Sequence, residues 1–127
     1  MNKYNDISME KYERPWGFYE ILLEEENYKV KRITINPNQK FSYQYHEKRD
    51  EFWVIVSGSG EIIQDRSGYD CLPNQVWVMP AHSEHRACAG PDGLVFIETQ
   101  IGECDENDIV RLEDDYGRVG KVDNLID

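Results

Sequence analysis

An amide, an imidazole and a carboxylate stand at Gln44, His46 and Glu51, and a second imidazole stands far along the chain at His85. Side chains of these types hold divalent metals through oxygen and nitrogen. The set suits zinc, manganese, cobalt, nickel or iron, with at least one coordination position left to water or substrate in a catalytic site. The chain has only three histidines, so two in one ligand pattern is a large share. The competing reading leaves His46 on a charged surface turn, because Glu47, Lys48, Arg49 and Asp50 follow it. The cysteines, Cys71, Cys88 and Cys104, are odd in number and include no C-x-x-C pair. They predict free thiols in a reducing compartment and no thiolate zinc site, with Cys88 as a small core residue.

Those ligands need a frame, and the pattern from Trp16 to about Gln100 supplies short strands. The runs are Phe18–Glu24, Tyr28–Ile35, Lys40–His46, Glu51–Ser57, Glu61–Asp65, Gln75–Pro80, His85–Ala89 and Leu94–Gln100. Turn residues separate them at Pro37-Asn38, Gly58-Ser59-Gly60, Arg66-Ser67-Gly68, Pro73-Asn74 and Gly90-Pro91-Asp92-Gly93. Short strands at near-regular spacing indicate an all-β antiparallel sandwich or barrel. Period-2 alternation puts Gln44 and His46 on one face of their strand, with Phe41, Tyr43 and Tyr45 on the other. In the last run the phase Leu94, Phe96, Glu98, Gln100 ends an apolar row with two polar groups, which predicts a barrel with a dry bottom and a polar mouth. Asp105–Leu112 is expected to form one short helix, capped by Asp105 or Asn107. The expected division is a flexible N-terminal arm over 1–13, one domain over 14–118 and a polar C-terminal tail over 119–127.

The 127 residues carry a net charge of −11. That argues against nucleic acid and anionic membrane as partners, while a local basic cluster still permits an anionic small molecule. No apolar run approaches the roughly 20 residues of a membrane span, and the start of the chain has no signal-peptide core. A cytoplasmic location is the expectation.

The two-part ligand pattern resembles the cupin signature, G-x5-H-x-H-x3–4-E-x6-G followed by G-x5-P-x-G-x2-H-x3-N. Asn38, Gln44, His46, Glu51 and Gly58 match the spacing of the first part, with Asn38 in place of a glycine and Gln44 in place of a histidine. Asn74, Pro80, His82, His85 and Ala89 follow the second, keeping only Pro80 and His85. Four further segments are similar to type II phosphomannose isomerase domains, the cupins found at the C-terminal end of bifunctional isomerase/guanylyltransferases. They are Arg14-Pro15-Trp16-Gly17-Phe18-Tyr19-Glu20, Tyr28–Ile33, Gln44–Gly58 and Asp108–Arg118.

The resemblance implies a double-stranded β-helix, or jelly-roll, barrel that interconverts mannose 6-phosphate and fructose 6-phosphate with one divalent ion, zinc first. It implies Gln44, His46, Glu51 and His85 as the metal set. Glu98 is the leading candidate for the proton-transfer base and Arg111 a second catalytic candidate. Arg32, Lys29, Arg49 and Arg118 are candidates for the phosphate of a small-molecule substrate. Family histidines are replaced at Glu47, Lys48 and Phe52, positions that could shape the cavity mouth or orient ligands. No G-x-G-x-R-L-type nucleotide loop is present, so a stand-alone isomerase domain without nucleotidyl transfer is expected. A homodimer is expected too, through an apolar edge at Phe18–Leu23. Two other readings remain: a non-catalytic cupin that binds a sugar or sugar phosphate, and an iron-dependent cupin oxygenase.

Overall fold

A computed structural model describes residues 10–117 together with 120 and 121. Ten strands form one continuous antiparallel sheet that curls on itself. In chain order they are β1 (Lys11–Arg14), β2 (Gly17–Glu24), β3 (Tyr28–Ile35), β4 (Tyr43–Tyr45), β5 (Arg49–Gln64), β6 (Ser67–Cys71), β7 (Val76–Met79), β8 (His85–Gly102), β9 (Val110–Glu113) and β10 (Gly120–Lys121). No helix lies among the described residues, and so none long and apolar enough to cross a membrane.

Two long strands organise the barrel. β5 pairs antiparallel with β8 from Arg49↔Gly102 to Gln64↔His85, with register shifts at Ile55/Ser57 and Gly58/Gly60. Each therefore joins two of the runs read separately in the sequence, because a bulge bends a strand without ending it. The far half of β8 also pairs with β3.

These registers stack cross-strand rows facing the interior, with neighbouring strands about 4.8 Å apart. The lower row is Ile33, Phe96 and Ile55; above it come Lys31, Glu98 and Trp53, then Lys29, Gln100 and Glu51. All nine are buried. Aromatic packing closes the floor: Trp53 lies 4.6 Å from Phe96 and 5.9 Å from Phe41, centroid to centroid. The dry bottom and polar mouth follow from one alternation read along three strands.

Three sequence expectations change. Asp105–Leu112 is not a helix: Val110–Glu113 pairs with β4, and the carbonyls of Cys104, Asp105 and Asp108 accept hydrogen bonds from Lys29, Arg49 and His46. Carbonyls taken by other elements cannot build a helical ladder. Phe18–Glu20 is not an edge, being flanked by β1 and β3, whereas Ile21–Leu23 pairs with β3 alone among the described residues. The arm assigned to 1–13 ends in order, with Lys11–Arg14 paired to β2; residues 1–9 lie outside the described residues, as does most of the tail assigned to 119–127.

The drifted glycines have a common explanation. Asn38, Asn74 and His82 stand where the signature has glycine, and their φ angles are 62°, 74° and 70°. The left-handed turn is kept at each place, by residue types that tolerate it better than most non-glycines. Gly58, at φ 88°, faces the Gly93 carbonyl so closely that a Cβ would collide with it.

Candidate metal centre

His46, Glu51 and His85 meet inside the barrel, all three buried, with one ligand atom from each lying within 4.8 Å of the others. His46 follows β4, Glu51 is on β5 and His85 opens β8, across from Gln44. His46 Nε2 lies 3.1 Å from one Glu51 carboxylate oxygen, and His85 Nε2 3.7 Å from the other. The imidazoles are held from behind: Nδ1 of His46 lies 2.6 Å from the Asp108 carbonyl oxygen, and Nδ1 of His85 2.9 Å from that of Ser83. A carbonyl can only accept, so both Nδ1 atoms carry a proton and each ring turns Nε2 toward Glu51.

Two observations test the fit of a divalent ion. Nε2 of His85 is buried and has no hydrogen-bond partner, an expensive condition for a ring nitrogen with nothing to bind. Burial also drops the His85 pKa to about 4, so the ring is neutral, as a ligand must be. Glu51 stays ionised: His46 and Arg49 hold its carboxyl well below the usual range against the pull of burial. Two imidazoles with Nε2 turned inward and one carboxylate are a fitting donor set. Gln44 stands beside them, its amide nitrogen 3.5 Å from His46 Nε2 and its amide oxygen accepting from the Ser42 hydroxyl at 2.5 Å. Exchanging amide N and O by a half-turn would offer the oxygen to the same centre.

His46 and Glu51 open into a cleft of about 400 Å³, its solvent-filled mouth included, whose wall also carries Lys31, Arg49, Glu98 and Glu106 above Trp16 and Phe41. Glu98 accepts from the Gln100 amide at 2.6 Å. Burial, then the Glu51 charge, raise its pKa to about 7, while Lys31 and Arg49 pull it down. Arg49 donates to Glu51 at 3.0 Å and to the Asp105 carbonyl at 3.0 Å.

The remaining sequence candidates fall elsewhere. Arg32 points to the opposite face of β3 from Lys31 and makes a bidentate pair with Glu20 at 2.7 and 2.9 Å. Arg111 is buried on β9 opposite Gln44, outside the residues that line the cleft. Lys29 sits on the inward face at the mouth, and Arg118 lies outside the described residues. Glu47 and Lys48 are exposed on the rim, their backbone N–H groups donating to the Asp108 carboxylate at 2.9 Å each. Phe52 alternates with Glu51 and Trp53 and so faces away from the cleft.

The sequence reading missed Lys31 and Glu106. Lys31 was visible in principle, because it shares its phase with Ile33 and Ile35. Glu106 carries no local signal; it comes from an irregular segment and is placed by the lysines it meets.

The fold has several solved likenesses. A single-residue variant of Streptomyces Pac13 with uridine superposes with a TM-score of 0.73 at 12% identity, over 84% of this chain and 86% of that one; Pac13 is described as a nucleoside dehydratase. An RmlC-like cupin from Desulfovibrio desulfuricans gives 0.59 at 22%, over 65% and 79%. Curated relatives are nearer in sequence. The alginate biosynthesis protein AlgA of Pseudomonas aeruginosa is 39% identical over 110 residues, 85% of this chain and 23% of the relative. Mannose-1-phosphate guanylyltransferase of Escherichia coli is 35% identical over 109 residues, 83% and 23%. The chain thus spans under a quarter of the length of these relatives. The family described as mannose-6-phosphate isomerase C-terminal matches residues 2–114. With its double-stranded β-helix barrel and that match along nearly its whole length, the chain belongs to the mannose-6-phosphate isomerase C-terminal family of cupins.

Proposed function

We propose that this domain is a metal-dependent aldose–ketose isomerase interconverting mannose 6-phosphate and fructose 6-phosphate. One observation carries the reading: a carboxyl with a pKa of about 7, Glu98, shares a cleft with His46 and Glu51 of the ligand set and with the basic Lys31 and Arg49. His46, Glu51 and His85 would hold the ion, with Gln44 beside them; zinc is the first expectation. When bound, a divalent ion supplies a Lewis acid for the sugar oxygens.

The chain's own residues account for the rest. Isomerisation moves a proton from C2 to C1, turning the C1 aldehyde into an alcohol and the C2 alcohol into a ketone through an enediol. Glu98, ionised, would take the proton at C2 and return it to C1, while O1 gains a proton and O2 gives one up, so that atoms and charge balance. A carboxyl that titrates near neutrality is suited to both halves of that transfer. Lys31, directly across from Glu98 on β3, favours the ionised form. Trp16, Phe41 and Ile33 line the apolar side of the cleft and keep water from the enediol. The substitutions at Glu47, Lys48 and Phe52 lie outside the residues that line the cleft, which favours the catalytic reading over a non-catalytic binding domain.

The test couples fructose 6-phosphate formation to a reporter, with purified protein, mannose 6-phosphate and zinc, cobalt, manganese or nickel in turn. Absence of turnover with every metal would sink the isomerase reading. We also propose a cytoplasmic homodimer joined through the outer face of β5 and β7, where Val54, Val56, Val76 and Val78 are exposed.

A further inference from the structure

Two buried lysines share one counter-ion at the mouth of the cleft. The side chains of Lys29 and Lys31 are each 5% exposed. Lys29 Nζ lies 2.9 Å from one oxygen of Glu106, and Lys31 Nζ lies 2.8 Å from the other. Lys29 also donates to the Cys104 carbonyl at 3.1 Å and pairs at 3.3 Å with Glu24, a largely exposed carboxylate. Lys31 stands 4.1 Å above the Tyr19 ring. Two ammonium groups on either side of a carboxylate would serve a phosphate monoester equally well, each donating to a different oxygen.

The position suits a substrate that reaches the metal triad. Lys29, Gln100 and Glu51 are cross-strand neighbours on β3, β8 and β5. Two strand spacings separate Lys29 from Glu51, roughly 10 Å, a span on the scale of a hexose phosphate. Lys31 and Glu106 both belong to the cleft wall that includes His46 and Glu51. Glu106 itself comes from the unpaired segment between β8 and β9. That segment begins after Gly102, whose φ of 126° needs glycine. Side chains tie it down: Arg49 to the Asp105 carbonyl and His46 to the Asp108 carbonyl.

We propose that Lys29 and Lys31 form the subsite for the substrate's anionic group, and that Glu106 occupies it in the free protein as an internal competitor. The inference rests on the sugar-phosphate reading of the cleft only for the identity of the anion. An incoming phosphate monoester replaces one negative charge between the lysines by nearly two, and releases Glu106 to water. The segment after Gly102 thereby sets which anions enter, because only a ligand that outcompetes a tethered carboxylate displaces it.

Glu106→Gln separates this from a purely structural ion pair, since both readings expect lower thermal stability but differ on anions. The probe is inorganic phosphate, titrated in EDTA by 31P NMR and by thermal shift, with chloride at matched ionic strength. Glu106→Gln is expected to bind phosphate at least tenfold more tightly than the unaltered protein and to regain its lost stability in phosphate but not in chloride. Adding Lys31→Met should abolish both effects. Equal phosphate affinity with and without the substitution, or rescue by chloride alone, overturns the proposal. Should Glu106→Gln fail to fold, Glu106→Asp, whose shorter carboxylate reaches the two lysines less well, should tighten phosphate binding, and an unchanged affinity there is equally fatal. Binding is read without turnover, so an inactive protein that still shows the tightening would sink the isomerase reading and leave the subsite standing. In an active protein, Glu106→Gln should lower KM for mannose 6-phosphate, with no measurable binding of unphosphorylated mannose by either form.

Discussion

Glu98→Gln measures what it costs to keep a carboxyl between Lys31 and Trp53. Burial and the Glu51 charge raise the Glu98 pKa from 4.5 to about 7 in the folded protein. Below the unfolded value the carboxyl is neutral in both states, and the folded state is at its best. As pH rises the unfolded chain gives up its proton first, so stability falls until the folded pKa is passed and then levels. A shift of this size, at 1.36 kcal/mol for each unit, corresponds to about 3 kcal/mol lost between acid and neutral pH. Glutamine has nearly the same shape, keeps an acceptor for the Gln100 amide and does not titrate. Glu98→Gln should therefore match the unaltered protein below about pH 4 and exceed it by about 3 kcal/mol above neutrality. For a domain of this length each kcal/mol moves Tm by about 4 °C, so the gap should open to roughly 12 °C. Circular dichroism melts in EDTA across that range read it directly; EDTA is required because a bound cation would hold Glu98 ionised. With metal restored, the same substitution should lower kcat by about 10²- to 10⁴-fold. A Tm gap that does not widen with pH would refute the argument.

Further outcomes follow from the same geometry. Glu51→Gln leaves Arg49 buried without its charge partner and should cost about 3–5 kcal/mol, with metal content by mass spectrometry falling at least tenfold; undiminished loading would contradict the ligand assignment. His85 is neutral in the fold down to about pH 4, against an ordinary value of about 6.5. The metal-free protein should therefore lose stability as pH falls between those values, and His85→Gln should flatten that part of the profile. Gly58→Ala should lower stability by about 3 kcal/mol or more, roughly the upper end for backbone strain, because its Cβ meets the Gly93 carbonyl; denaturant midpoints check it. Val54→Lys with Val76→Lys should yield a monomer by light scattering if the outer β5–β7 face joins two copies.

Alternation carried most of what could be read beforehand. β3 matches its sequence bounds, and the inward phase of Leu94, Phe96, Glu98 and Gln100 is the phase of β8. The spacing of His46, Glu51 and His85 pointed to residues that the barrel brings together. What escaped was local structure set by distant partners. The sequence places a turn at Arg66-Ser67-Gly68, but Ser67 and Gly68 already belong to β6. The turn is instead Asp65-Arg66, at φ 48° and 71°, a conformation usually given to Asn-Gly. It is held there by contacts from elsewhere: the Glu84 N–H donates to the Asp65 carboxylate and the Arg66 N–H to the Tyr43 hydroxyl, both at 2.9 Å. Asp105 misled in the same way. Its carboxylate accepts from the Asn107 N–H at 2.9 Å, a contact a helix cap would also make, but the Asp105 and Asp108 carbonyls accept from Arg49 and His46 of the barrel.

The stacked rows of β3, β5 and β8 divide labour by height. Ile33, Phe96 and Ile55 tie the sheet together, while Lys31, Glu98, Lys29, Gln100 and Glu51 bring polar and charged groups to the upper rows from the same three strands. Because side chains repeat every second residue, a change two positions up a strand alters chemistry without disturbing the floor beneath. A lineage can thus rewrite the top rows while the apolar floor stays as it is. That property is consistent with one barrel serving a nucleoside dehydratase in Streptomyces and this family's domain here, with little sequence in common.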